Sequence, residues 1–188
     1  MKIRTSCLLL LAVLLAGCWQ KSVQPFYTAG DVIAEPKLAG KWTEQKESDD
    51  KMIWTFTEAG DKRLDVVVRS KDEKYEFEGR VFKMGNDRFL DLVGKVSGVS
   101  TIPAHHLFRI VELGSELKMT GLNTDWVKKW LKKNPSSLAH IVAPDPEHRD
   151  DRDSDEYILT ADTKALQKFV REHLNDEDFF VGDTVLKK

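Results

Sequence analysis

Between Leu38 and about Thr120 this chain alternates apolar and polar residues with period two, and turn residues break the alternation at near-regular intervals. Successive side chains of a strand point to opposite faces, so such a pattern puts one row in a core and the other in water. Met52, Trp54 and Phe56 alternate with Ile53, Thr55 and Thr57, and Ala59, Gly60 and Asp61 then signal a turn. Leu64, Val66 and Val68 form the next row before a turn at Ser70, Lys71 and Asp72. Tyr75, Phe77 and Val81 alternate with Glu76, Glu78 and Arg80, with Gly79 placed as a bend. After Gly85, Asn86 and Asp87 the run 89–93 is apolar except for Asp91. Leu107, Arg109 and Val111 make one further row, and Leu117 and Met119 another beyond the turn at Gly114. With residues 38–43 this predicts seven short antiparallel strands in a meander. A meander of that length escapes exposed edges by closing into a barrel.

The period then changes. Asn123 is placed to cap a helix over 124–133, with Trp126, Val127, Trp130 and Leu131 on one face and Lys128, Lys129, Lys132 and Lys133 opposite. Asn134 and Pro135 end it. Residues 144–156 read as a charged loop, 157–160 as an eighth strand, and 163–174 as a second amphipathic helix. Phe179, Phe180 and Val181 in the tail suit a short strand packing back. The expected fold is therefore mainly β, a single antiparallel up-and-down barrel with two flanking amphipathic helices.

Composition removes several function classes. The chain has 188 residues, with 29 basic and 31 acidic side chains and a net charge of −2. That balance supplies no field for nucleic acid, and no Lys/Arg block of a DNA reader is present. No long apolar run follows the N-terminus, which excludes a helical multi-span membrane protein.

The N-terminus is itself specific. Lys2 and Arg4 precede the uncharged stretch 5–17, which is too short to span a bilayer. It ends Leu15, Ala16, Gly17, Cys18. This box resembles the lipobox of bacterial lipoproteins. The resemblance implies cleavage between Gly17 and Cys18, a diacylglyceryl group on the Cys18 sulfur and a fatty acyl group, such as palmitate, on its new amine. Cys7 then leaves with the leader, so no thiol remains for a disulfide, a metal site or a nucleophile. Loss of Lys2 and Arg4 takes the net charge from −2 to −4. Trp19, rather than Asp, follows the lipid site. By the same resemblance this favours the outer membrane, facing the periplasm, in an organism with two membranes.

The chain thus divides into a leader (1–17), a lipidated tether (18–36) and a barrel domain with C-terminal helices (37–188). A flexible tether of that length spans about 20–25 Å r.m.s.. Phe26, Tyr27, Val32 and Ile33 are apolar enough for part of it to pack on the domain instead.

Leu38, Ala39, Gly40, Lys41 and Trp42 open the first strand. Gly40 and Trp42 resemble the G-x-W motif of lipocalins and related calycin barrels. The resemblance implies that Trp42 closes one end of the barrel beneath a stacked cationic side chain, although no late-strand arginine can be assigned to that place. An eight-stranded barrel is just wide enough to be filled by side chains or to hold one small ligand. Trp54, Phe56, Tyr75 and Phe77 are the wall residues that would touch such a ligand, and they suit a filled core equally.

Three other features have plain alternatives. The Trp126/Trp130 helix fits either a membrane interface or a lid packed on the barrel. Asp151, Asp153, Asp155 and Asp162 have calcium-loop spacing, but Glu156 stands where that loop requires glycine, which favours a solvated loop. His105 and His106 are adjacent on a strand and point to opposite faces, so they cannot share a metal. No metal, cofactor other than the covalent lipid, or catalytic motif is expected, and a hydrolase is the least favoured reading. The leading expectation is a membrane-anchored envelope module binding a small apolar or amphipathic molecule. The alternative is an interaction lipoprotein with a filled barrel that docks an envelope protein.

Overall fold

Eight strands close into an antiparallel barrel. The computed structural model describes residues 19–46, 50–95, 103–144 and 154–188. Cys18, Gly17 and the leader lie outside the described residues, as does most of the charged loop with Asp151 and Asp153. The barrel begins with β1 (Gly40–Glu44), β2 (Ile53–Glu58), β3 (Arg63–Arg69), β4 (Lys74–Met84) and β5 (Asp87–Gly94). It continues with β6 (His105–Leu113) and β7 (Glu116–Leu122). Then come α1 (Thr124–Lys133), β8 (His140–Ala143), β9 (Glu156–Leu159), α2 (Thr163–His173) and β10 (Phe180–Lys187). Around the barrel the order is β1-β10-β7-β6-β5-β4-β3-β2, while β8 and β9 pair with each other.

The closing strand is therefore β10. Residues 157–160, expected as the eighth strand, pair instead with β8, Val142 opposite Tyr157. The tail hides its strand because its register on β7 shifts between Val181 and Thr184, beside Gly182 at φ +74°. A bulge of this kind breaks the period-two signal. The start of the first expected strand is also different: Pro36–Leu38 is a single 3-10 turn and β1 begins at Gly40.

Two apolar layers share the barrel wall. The inner one gathers Trp42, Trp54, Phe56, Val66, Leu90, Phe108 and Leu186. The outer one gathers Phe82, Phe89, Leu107 and the helix residues Val127, Leu131, Leu166 and Phe169. In β2 and β3 only alternate residues are buried, whereas in β5 the run from Phe89 to Leu92 is buried without a break. Strands covered on both faces lose their alternation. The helices therefore lie over β4–β6, where the sequence is apolar on both rows.

Both helices carry the expected caps. The Asn123 side chain accepts hydrogen bonds from the amides of Asp125 and Trp126, and the Asp162 side chain accepts one from Ala165 at 2.8 Å. Asp162 thus serves as a helix cap at the position expected to end a calcium loop. Trp126 and Trp130 face inward onto α2 and the tail, with Trp126 4.8 Å from Phe179 and Trp130 4.9 Å from Phe169 between ring centroids. The helix is thus a packed flank, with its tryptophans against α2 and the tail and not directly on the barrel.

Residues 19–36 are tied to the barrel and its flanking elements at several points. The Ser22 amide donates to the His105 carbonyl and the Val23 amide to that of Leu159. The Phe26 amide donates to the buried Asp91 carboxylate at 3.0 Å, and the Ile33 amide to Val81. From α2, the Gln167 side chain donates to the Phe26 carbonyl and to Asp31, which holds the Asp31 carboxyl below its usual range. The segment stitches the β8–β9 pair and α2 to the barrel wall.

Candidate functional site

The four wall residues come together inside the barrel. Trp54 and Phe56 are fully buried with stacked rings 6.1 Å apart, Phe77 is buried, and Tyr75 packs at the edge of the same cluster. Packing is tight at Gly79. A methyl added at Gly79 would sit 3.0 Å from Val66 Cγ2 and 3.1 Å from Leu92 Cδ2. Side chains from β3 and β5 thus crowd this position on β4 and would have to shift to admit a β-carbon.

One end is closed by Trp42. Its indole N–H donates to the Leu38 carbonyl at 2.7 Å, four residues back, across the 3-10 turn. The Lys188 ammonium lies 4.9 Å above the Trp42 ring and donates to the Lys37 carbonyl. An ammonium over an indole face is attracted by the ring quadrupole. Gly40 suits its place: φ is +127°, and a β-carbon there would meet Lys188 Cε at 3.4 Å. The stacking cation is thus a lysine at the end of the last strand, not an arginine. The signal available in the sequence was the pair of lysines, Lys187 and Lys188, that follows Leu186.

Trp19 occupies the other end. Its ring lies 4.8 Å from Phe108 at 85°, and within 6.3 Å of Trp54, Phe77 and His106. The Trp19 backbone bridges Asn123 where β7 ends. Sequence reasoning missed this plug because Trp19 sits where a linker was expected. Two buried nitrogens at this end, Trp54 Nε1 and His106 Nδ1, have no hydrogen-bond partner. Burial pushes His106 down to about 4, partly opposed by its hydrogen bonds to the backbone of Gln20 and Trp19. The imidazole is therefore neutral at neutral pH.

His105 points to the other face, as expected for its neighbour on a strand. Its Nδ1 lies 2.6 Å from Asp91, whose second oxygen holds the Phe26 amide. This accounts for the one acid in the apolar run of β5: it fixes the N-terminal segment to the outer wall. Among the described residues no group of three His, Cys, Asp or Glu is placed to hold a metal.

Open space is found at the Trp42 end of the barrel, where Leu64 and Val81 of the inward rows meet residues 33–36. A cleft of about 330 Å³ has Ile33, Pro36, Leu64 and Val81 in its walls and Lys62 and Arg63 at its rim. The Lys62 ammonium donates to the Val32 carbonyl at 2.8 Å. Beyond Lys62 and Val32 a second, shallower cleft of about 510 Å³ is lined by Tyr27, Asp61 and Arg80. Asp61 and Lys62 both have positive φ, 49° and 57°, in the hairpin between β2 and β3. That backbone costs a non-glycine residue about 1–2 kcal/mol, and it is held by Lys62 and by Arg80, which donates to the Asp61 carbonyl.

The fold is thus a closed eight-stranded antiparallel barrel with a buried aromatic cluster inside, a tryptophan towards each end and a cleft at the Trp42 end. Comparison with protein-family models, with curated proteins and with solved structures finds no match to this chain.

Proposed function

We propose that this chain is a lipid-anchored, lipocalin-like cell-envelope protein that works through its outer surface, docking an envelope partner, rather than by enclosing a ligand. The observation that carries this reading is the packed centre of the barrel: Trp54, Phe56 and Phe108 are buried, a β-carbon at Gly79 would lie 3.0–3.1 Å from Val66 and Leu92, and Trp19 and Trp42 stand towards the two ends. The lipocalin-like assignment rests on Gly40 and Trp42 at the head of β1, the preceding 3-10 turn and the cation over the ring. The anchor rests on the charge, length and box of residues 2–18. An outer-membrane location, where two membranes exist, follows from Trp19 after the lipid site. The reading assigns no catalytic step and no cofactor.

Two measurements test it. Replacement Cys18→Ser leaves the precursor uncleaved and without labelled palmitate, and uptake of label by that variant contradicts the anchor. Native mass spectrometry of the delipidated domain gives the mass of the polypeptide alone, and a stoichiometric co-purifying small molecule contradicts the filled barrel.

A second reading is favoured by the cleft at the Trp42 end, where apolar Ile33, Pro36, Leu64 and Val81 lie beside Lys62 and Arg63. Arg63 Nε is buried without a partner. There the protein binds a small amphipathic molecule, apolar body against the wall and anionic head on the cations. Loss of that binding in Arg63→Gln, with the fold intact, distinguishes this reading from the first.

A further inference from the structure

We infer that the Trp19 end of the barrel is held flat against the lipid surface, so that the anchor sets the orientation of the domain instead of tethering it loosely. This rests on the lipidation of Cys18 proposed above and deepens that reading.

The argument is one of slack. A lipoprotein domain on a flexible linker of about 18 residues roams about 20–25 Å from its lipid. Here the residue next to the anchor is already part of the domain. The Trp19 ring is wedged among Trp54, Phe77, His106 and Phe108, and its backbone bridges Asn123. Gln20 is 1% exposed and its side-chain amide donates to the Tyr157 carbonyl at 2.6 Å. Ser22 exchanges both backbone hydrogen bonds with His105. Consecutive Cα atoms are about 3.8 Å apart, so the lipid-bearing residue stands one peptide from a fixed point on the barrel rim.

Topology says which rim. In a meander, alternate connections share an end. Trp19 meets the exit of β7 at Asn123, which lies on the side of the β3–β4 turn at 70–73. The β2–β3 and β4–β5 turns, Lys188 and the cleft lie on the opposite side. The bilayer therefore faces the 70–73 turn. The Trp42 end, with the cleft, faces the aqueous compartment, where an envelope partner meets it.

The cysteine count makes the test direct, because the lipidated chain carries no other thiol. A single fluorophore is placed on exposed Asp72 (Asp72→Cys) or exposed Asn86 (Asn86→Cys) of the full lipidated protein. The protein is then inserted in phosphatidylcholine vesicles containing headgroup spin-labelled phosphatidylcholine. Quenching is expected to be severalfold stronger at position 72 than at position 86. A Gly/Ser spacer of ten residues between Cys18 and Trp19 is expected to abolish that difference. Equal quenching at both positions in a protein shown by mass to be lipidated overturns the orientation alone. A difference that survives the spacer shows that the domain adheres by its own surface and overturns the role of the anchor. A protein without lipid mass that does not float with vesicles overturns the anchored reading and this one with it.

Discussion

The two ends of the barrel are closed by the same residue type in different ways. At the Trp42 end the indole N–H has a carbonyl four residues away and a lysine above the ring, so each polar atom of the closure is matched. At the Trp19 end the plug arrives from the N-terminal segment and leaves Trp54 Nε1 and His106 Nδ1 unmatched. A buried polar atom without a partner costs about 1–3 kcal/mol. The first end is a self-contained structural cap. The second is stabilised by apolar contact and by the long row of hydrogen bonds that holds residues 19–36 in place. Its unmatched polar atoms lie where a segment from outside the barrel serves as the plug.

Breaking each cap sharpens this contrast. Trp42→Ala is expected to lower stability by about 3–5 kcal/mol, the usual cost of truncating a fully buried tryptophan. Trp19→Ala is expected to cost about 2 kcal/mol, because its ring is only partly covered. Urea denaturation of both variants checks the order, and a larger loss at Trp19 contradicts it.

A second difference is visible in pH dependence. His106 is held at about 4 in the folded chain against about 6.5 when unfolded. The unfolded state therefore binds the proton first as pH falls. The neutral imidazole contributes its full stability above about 6.5, and this is lost as pH falls from there towards 4. The linkage is worth about 2–3 kcal/mol over that window. Denaturation of the parent and of His106→Asn between pH 7 and 4 is expected to show a shallower fall in the variant. Parallel curves exclude His106 as the source.

Between the ends, Gly79→Ala pushes a methyl against Val66 and Leu92 and is expected to destabilise by about 1–3 kcal/mol. A neutral result means that the interior has spare volume. The smallest effect belongs to Lys188→Ala, which removes the cation over Trp42 and is expected to cost about 0.5–1 kcal/mol. High salt leaves most of that difference if van der Waals contact of the lysine stem with the ring dominates.

How much of this was legible in the sequence depended on how many faces a strand buries. Strands β2 and β3 bury one face, and Trp54, Phe56, Leu64, Val66 and Val68 were read correctly as one inward row. Helix α1 carried its cap, its amphipathic face and its stop, and its bounds matched. Strand β10 was obscured by Gly182 and the register shift beside it, and β8 by being four residues long with Ile141 and Val142 exposed. The inward row could not say whether the barrel was full, because that depends on how Val66, Leu90 and Leu92 meet across Gly79. Nor could it show Trp19 as a plug, since nothing local to residues 19–22 encodes the barrel end they reach. Gly40 and Trp42 were visible as a motif, but their cation, Lys188, lies across the seam where the barrel closes.

The central claim is that the interior is occupied by the protein itself. Titration of the purified protein with N-phenyl-1-naphthylamine, followed by the dye's emission and by tryptophan quenching, tests this most directly. The filled barrel predicts no saturable binding to the parent and the appearance of one site in Trp19→Gly, where the plug is removed. Saturable one-to-one binding to the parent, with quenching of its buried tryptophans, contradicts it.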